Sequence, residues 1–400
     1  MGGQEGAGSG AHRCEILVLL VGANPLPNYL AAAVLRPRRV VLVFSGETTG
    51  PRDRLAAELA GRLGVEEVAS RLVEDPTCAA AVRDRLRGLA GSEAARGALH
   101  LNYTGGTKVM AVHARAALGD QGDLRDAAMS YLDDRGGRLR FDDGHDENLP
   151  AGLVDLDTVM ALQGMEPKRE RPSTGEGLPT ERDLAELAAR VLDEPDLAGR
   201  LYARFRDKAG NRLSRTKVPP FRPGEKEGLR LSQPEIPGSD WSSDRYEHWV
   251  EYLGGRWLDE WVGGLVRGLG VAQDVRVSLK RIKDRREFEL DVVALRDNRV
   301  YVVSCTTDPT ARLCKSKLFE VALRARQLGG DLARSAVACL LPDPGPANPS
   351  SVGPAGVEDD GKAAWDAPNP PRVFGLSHLR AWHGQGGPPD LSGLKTWLRS

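Results

Sequence analysis

The sequence predicts an α/β protein of two domains, the first of them a doubly wound parallel sheet. Residues 15–22 (EILVLLVG) and 39–44 (RVVLVF) are continuous apolar runs of strand length, the pattern of parallel strands covered on both faces. Each leads through a loop into a segment with helical periodicity, and alternating units of this kind imply right-handed crossovers in an open sheet. At Trp241 the character changes to a Trp-rich helical stretch followed by closely spaced strand candidates.

In chain order, the turn-rich segment 23–28 precedes a helix over 29–35. The loop 45–48 precedes a helix over 52–63 (RDRLAAELAGRL). Strands are expected at 67–73 and 98–103, and helices at 78–90 and 107–119. The first domain should end near 145. Residues 146–240 read as a helical connector and linker, with one helix over 180–192 opening on the Thr180 cap. In the second domain, 241–400, residues 245–270 are helical. Strands are expected at 274–281, 287–295 and 299–304, the last two joined by an Asp297-Asn298 turn. A helix over 316–328 and a strand over 335–341 follow. Residues 342–371, rich in Pro, Gly and Asp, read as a flexible excursion. Trp382 and Trp397 should anchor the tail, and Trp249, Trp257 and Trp261 should be core at helical spacing.

Bulk composition narrows the function classes. The 400 residues carry 55 Lys and Arg against 56 Asp and Glu, a net charge of −1. Nucleic-acid binding would therefore rest on local patches. The five cysteines are odd in number and include no CxxC pair, which excludes a disulfide framework and a zinc site as expectations. Cys305 and Cys314 are expected to be structural. The polar, Gly-rich N-terminus and the lack of any apolar run near the ~18 residues of a membrane span point to a cytoplasmic protein without a membrane partner.

The sharpest local feature is the segment 101–108 (LNYTGGTK). A strand, a Gly-Gly turn and a helix start together expose backbone N–H groups to an anion. Thr104 and Thr107 add hydroxyls, Gly105 and Gly106 allow close backbone approach, and Lys108 adds positive charge. Its spacing is neither the P-loop nor GxGxxG. The loops after the first two strands carry Asn24, Asn28, Ser45 and Thr48, and in an open sheet all these loops meet at the carboxyl ends of the strands.

GANPLPN at 22–28 together with NYTGGTK at 102–108 resembles the CRISPR-associated Rossmann fold (CARF) sensor domain over about residues 14–145. The resemblance implies a Rossmann-like sheet, a cyclic oligoadenylate ligand, most often cyclic tetra-adenylate, and a homodimer with the ring on its two-fold axis. It also implies ligand contacts from Thr104, Gly105, Gly106, Thr107 and Lys108, with Asn24, Leu26 and Asn28 from the first loop.

The second half holds a carboxylate constellation. Asp259 or Glu260 sits on a helix with Trp257, Leu258, Trp261 and Val262, while Glu287, Glu289 and Asp291 share one face of a strand by its period of two. Such carboxylates suit a divalent ion with hard oxygen ligands, Mg2+ or Mn2+. The Gly-Gly-x-Trp-Leu-acid helix, the Glu-Leu-Asp strand and the Ser304-Cys305 strand end resemble the PD-(D/E)XK nuclease domain fused to CARF sensors, over about residues 245–341. The resemblance implies a restriction-endonuclease-like α/β fold, Asp259, Glu289 and Asp291 as catalytic residues, and Asp259 and Asp291 as metal ligands. One departure stands out: Thr306 occupies the position of the family's catalytic lysine, and Ser304 that of an acid found in some members. Lys315 and Lys317 are close in sequence, and the basic run 280–286 (KRIKDRR) is expected to contact phosphate.

The resulting expectation is a cyclic-oligoadenylate-activated, metal-dependent endonuclease of type III CRISPR defence that cuts DNA, RNA or both. The rival expectations are a catalytically inactive nuclease-like domain that regulates by binding, and a sensor domain that degrades its own ring.

Overall fold

A computed structural model describes residues 14–93, 98–120, 124–133, 137–168, 176–224, 228–346, 350–365 and 369–400. The chain divides into two compact units. One runs to Glu166 and includes Gln327–Leu332; the other holds Pro167–Arg326 and Ala333–Ser400.

The first unit alternates β1 (Ile16–Leu20), α1 (Leu26–Leu35), β2 (Arg39–Phe44), α2 (Thr49–Leu63), β3 (Glu67–Leu72), α3 (Ala79–Glu93), β4 (Leu99–Asn102), α4 (Lys108–Arg115) and β5 (Met129–Asp133). It then adds β6 (Arg138–Phe141), β7 (Asp146–Asn148) and α5 (Leu156–Leu162). Among the described residues the sheet order is β3-β2-β1-β4-β5-β6-β7. Every residue of β1, β2 and β4 is buried. Ile16, Val18 and Leu20 belong to one core layer with Val41, Val43, Leu101, Val82 and Met110, while Leu17 and Leu19, also fully buried, alternate to the other face. Burying both faces this way, at about 1.5–3 kcal/mol for each large aliphatic side chain, is what a doubly wound sheet requires.

The sheet is parallel through β5 and antiparallel beyond it, where β5 pairs β6 and β6 pairs β7. The sequence reading did not anticipate this edge. The Arg138–Phe141 strand alternates exposed and buried residues, so a search for continuous apolar runs passes over it.

The second unit contains β8 (Glu166–Pro167) at its boundary, α6 (Glu181–Asp193), α7 (Asp196–Arg204), α8 (Ser243–Glu251), α9 (Trp257–Gly268), β9 (Asp274–Lys283), β10 (Arg286–Arg296), β11 (Arg299–Thr306), α10 (Ala311–Gly329), β12 (Arg334–Cys339), α11 (Pro354–Ala364), β13 (Arg372–Phe374), α12 (Leu376–His383) and α13 (Ser392–Leu398). Its sheet order is β13-β12-β11-β10-β9-β8. β9, β10 and β11 are antiparallel, and β11, β12 and β13 are parallel. Asp297 and Asn298, at φ 49° and 63°, form the tight turn between β10 and β11, as a two-residue hairpin needs.

Two expectations about domain organisation change. The first unit extends to Glu166, past 145. Residues 167–240 are no free linker: Leu187, Val191, Leu201, Phe221 and Ile236 share one core with Trp249, Trp257 and Leu258. The fully buried Asp183 ties the irregular stretch down. Its carboxylate accepts from the N–H and hydroxyl of Thr180 and from the N–H and hydroxyl of Ser232, at 2.5–2.8 Å. Charge and Pro/Gly content hid this because the apolar anchors are spaced singly. The excursion 342–371 likewise contains α11, which starts with Pro354 at its first turn and buries Val357. Residues 169–175, within the proposed linker, lie outside the described residues. Trp249, Trp257, Trp382 and Trp397 are buried as expected, and Trp261 is partly buried against the same core.

In the first unit the buried Arg39 on β2 makes a bidentate pair with Glu93 at the end of α3, at 2.7 and 3.0 Å. Orphaning a buried charge costs about 3–5 kcal/mol, and Arg39 keeps a second partner in Glu67 on β3. Glu93→Ala is therefore expected to lose stability by less than that, about 1–3 kcal/mol in chemical denaturation; a loss under about 1 kcal/mol would show that the pair contributes little.

Candidate functional site

In the first unit the strand order changes direction between β1 and β4, and open α/β sheets bind ligands beyond the carboxyl ends of strands at such a point. The loop after β1 and the loop after β4 touch there. A Cβ on Gly105 would stand 2.1 Å from the Leu20 carbonyl oxygen and 3.0 Å from Asn28 Oδ1, so only glycine permits this approach. The fully buried Asn28 donates from Nδ2 to the Leu20 carbonyl at 2.9 Å, and its Oδ1 has no hydrogen-bond partner among the described residues. Thr107 caps α4 by accepting from the Met110 N–H at 3.1 Å. Thr107 and Lys108 are exposed, so the helix start faces solvent with a cation beside it.

The other sequence-selected residues take different parts. Leu26, at 1% exposure, is core. Thr104 spends its hydroxyl inside the protein, donating to Asn102 Oδ1 at 2.8 Å and accepting from the Leu132 N–H at 2.7 Å. Asn24 Oδ1 accepts from the Leu26 N–H at 3.1 Å and from Gln163 Nε2 at 2.8 Å. Thr48 Oγ1 accepts from the N–H of the buried Ser45 at 3.0 Å, which closes the loop after β2. Gly106 follows Gly105 at φ 75°.

Sequence reasoning missed an aromatic cluster next to the turn. Tyr103 donates to Asp142 at 2.5 Å, and Asp142 also pairs with Arg115 at 2.8 Å. Burial and that hydrogen bond push the Tyr103 phenol up and keep it protonated. Tyr131 lies 5.6 Å from the Tyr103 ring and is half-exposed. Tyr103 directly follows β4 and Tyr131 lies in the middle of β5, so no local pattern in the sequence pairs them.

In the second unit α9 buries Trp257, Leu258, Val262 and Val266. Gly263 lets the helix press onto β9: a Cβ there would stand 2.2 Å from Val277 Cγ2. One turn earlier on α9, Asp259 meets Ser278, whose hydroxyl approaches Asp259 Oδ2 at 3.5 Å. Ser278 is buried with φ 49°, a conformation costing a non-glycine residue about 1–2 kcal/mol. The β9–β10 ladder pairs Leu290 with Leu279 and resumes at Val292 with Val277, leaving Ser278 and Asp291 out. Backbone strain of this kind persists where the surroundings enforce it, often at functional sites.

Asp291 is held by two donors: its Oδ2 accepts from Ser304 Oγ and from the Cys305 N–H, each at 2.8 Å. Burial, then repulsion from Asp291 and Glu289, raises the Asp259 carboxyl well above the usual carboxylate range. Burial and the same two aspartates also push the Cys305 thiol up, with a hydrogen bond to Asp259. Cys305 packs against the core, as expected of a structural residue, and also borders the acid cluster. Glu289 is exposed and pairs with Lys280 at 3.6 Å; Glu287 is exposed and pairs with Lys168.

Thr306 carries no charge, and its hydroxyl accepts from the Asp308 N–H at 3.2 Å. Lys315 pairs with Asp360 at 2.9 Å and Lys317 with Glu320 at 3.4 Å.

Among the described residues no group of three His, Cys, Asp or Glu side chains is arranged to hold a metal ion. Two mutually repelling carboxylates still have the donor chemistry of a hard divalent cation such as Mg2+, which keeps several waters and takes phosphate oxygens alongside one or two carboxylates.

Comparisons with known proteins fit both units. Residues 246–340 match the family model described as "Card1-like, endonuclease domain", a stretch that contains Asp259, Ser278, Glu289, Asp291 and Ser304. Three solved structures share the fold. Can2 from Sulfobacillus thermosulfidooxidans, in complex with cyclic tetra-adenylate, is 17% identical with a TM-score of 0.66, over 96% of this chain and 99% of that one. VC1899 from Vibrio cholerae is 15% identical with a TM-score of 0.66, over 96% and 98%. A type III CRISPR defence DNA nuclease activated by cyclic oligoadenylate is 23% identical with a TM-score of 0.50, over 84% of this chain and 47% of that one. No curated protein matches the chain. Among the described residues no helix is long and apolar enough to cross a membrane.

The raised Asp259 makes a stability prediction. A carboxyl whose folded pKa exceeds its unfolded value, about 3.9, favours the folded state at acid pH and loses that advantage as pH rises through the folded pKa. Asp259→Asn is therefore expected to raise the melting temperature near pH ~7.5, with the gain vanishing below pH ~4 in scanning calorimetry. An equal or lower melting temperature at neutral pH would contradict the burial of this charge.

Proposed function

We propose that this chain is a nuclease switched on by a cyclic oligoadenylate, cyclic tetra-adenylate in the first instance, in type III CRISPR defence. The observation that carries the reading is that the endonuclease-matching stretch gathers Asp259, Glu289 and Asp291 around a strained strand position. The paired loops of the first unit support the activator, since Lys108, Thr107 and the Gly105-Gly106 amides lie at a helix start open to an anion. Of the similar structures, one is bound to cyclic tetra-adenylate and another is a nuclease activated by cyclic oligoadenylate. A ring with two-fold symmetry is best held by a homodimer, which offers each turn twice. Such rings would be cytoplasmic signals, and the proposed site of action is the cytoplasm.

Asp259 and Asp291 are the proposed holders of Mg2+ or Mn2+, which when bound supplies Lewis-acid stabilisation of charge on the phosphate. Ser304 and the Cys305 N–H orient Asp291. In hydrolysis of a DNA or RNA phosphodiester, a water oxygen bonds to phosphorus and the bond to one sugar oxygen breaks. In this reading exposed Glu289 takes the proton the water loses, and the leaving oxygen takes one from solvent. Thr306 favours a second reading, a nuclease-like domain that binds nucleic acid without cutting it.

A plasmid-nicking and RNA-cleavage assay with Mn2+, with and without cyclic tetra-adenylate, separates the readings. Wild type should cut only with the ring, and Asp291→Ala should lose about 100-fold or more in rate while keeping ring affinity. Gly105→Ala should do the reverse, losing ring binding in calorimetry because its Cβ collides with Leu20. Tight ring binding with no cleavage of either nucleic acid would favour the second reading.

A further inference from the structure

We propose that Lys280 on β9 supplies the cation that contacts the scissile phosphate, in the place that Thr306 leaves uncharged. The proposal rests on the nuclease reading above.

Cleavage of a phosphodiester builds negative charge on the non-bridging oxygens, and a fixed cation at those oxygens lowers the barrier. Two amines stand along the acid face of β10 among the described residues: Lys168 pairs with Glu287 near the strand's start, and Lys280 stands beside Glu289, the acid nearer to Asp291. Lys280 is the cross-strand partner of Glu289, so both side chains leave the sheet on the same face. Its ammonium stands 3.6 Å from Glu289 Oε1. Asp291 follows two residues later along that strand, on the same face by the period of two. The separation of 3.6 Å is longer than a hydrogen bond. Lys280 is part-buried and Glu289 exposed, so an entering phosphate can draw the ammonium away on its flexible four-carbon stem.

The neighbouring cations are committed elsewhere. Lys315 and Lys317 pair with Asp360 and Glu320. Arg281 is buried, and its guanidinium donates to the carbonyl of Lys280 at 3.0 Å. Arg324 is fixed by Glu320, by the Glu289 carbonyl and by the Phe288 ring at 4.9 Å. Register alone places the amine: the β9–β10 ladder holds the same pairing on both sides of Ser278 and sets Lys280 opposite Glu289.

The test is single-turnover cleavage by the full chain with Mn2+ and cyclic tetra-adenylate, together with nucleic-acid binding in EDTA at several salt concentrations. Lys280→Ala and Lys280→Met are expected to slow cleavage about 100-fold or more, with Lys280→Arg recovering part of the rate. Adding Thr306→Lys to Lys280→Ala should restore activity, whereas Lys317→Ala should cut like wild type. Without metal, loss of one phosphate contact should flatten the slope of log K against log salt by about 0.7–0.9. If wild type cuts and Lys280→Ala and Lys280→Met cut equally fast, or if the salt slope is unchanged, the assignment is overturned while the nuclease reading stands. If wild type is inert with every ring, the nuclease reading fails and takes this assignment with it.

Discussion

The close approach of α9 to β9 is the constraint on which the second unit depends. Gly263 leaves no side chain between the helix and Val277, so the helix settles deep enough for Trp257 and Leu258 to fill the core. The same depth carries Asp259 to Ser278 and Asp291. Hydrophobic burial thus drives two carboxylates together against their repulsion. The apolar stripe of α9 is worth several kcal/mol in all, at about 1.5–3 kcal/mol per large side chain, which is enough to hold an acid whose proton affinity has risen.

The first unit solves a different problem with the same device. Anion binding by a helix start needs the backbone of one loop against another with no side chain between. Gly105 on the Leu20 carbonyl provides it. Thr104 and Asn28 then work inward, one pinning the turn to Leu132 and the other bridging to β1. Lys108 is left facing outward with its charge, while Thr107, though exposed, donates its hydroxyl to the Pro76 carbonyl at 3.2 Å and caps α4. Residue type alone marked all of them as ligand contacts; hydrogen-bond accounting divides them into those that shape the loop and those open to a ligand.

The misread segments have a common cause. The edge strand Arg138–Phe141 and the stretch 205–240 bury apolar residues one at a time, between charged or turn-forming ones. Periodicity needs several repeats to be visible, so single anchors such as Phe205, Phe221 and Ile236 carry no pattern. α11 was hidden by the prolines and glycines on its flanks, although Pro354 itself is a favourable helix start. The packing of Cys305 against the core was legible, but its contact with Asp259 was not, because that neighbour lies on a different element.

By itself the sequence determined what local chemistry can determine: buried parallel strands from unbroken apolar runs, the Gly-Gly turn at a helix start, and carboxylates spaced by two on one strand. These depend on neighbours within a few residues. It could not decide which cation stands beside the acids, because Lys315 and Lys317 are near in number and Lys280 is near across the ladder. The register of the β9–β10 hairpin sets Lys280 opposite Glu289, and register depends on how the two strands pair, which residue type alone does not fix. Only tertiary structure could show that a threonine at 306 leaves the acid face with an amine from the adjacent strand.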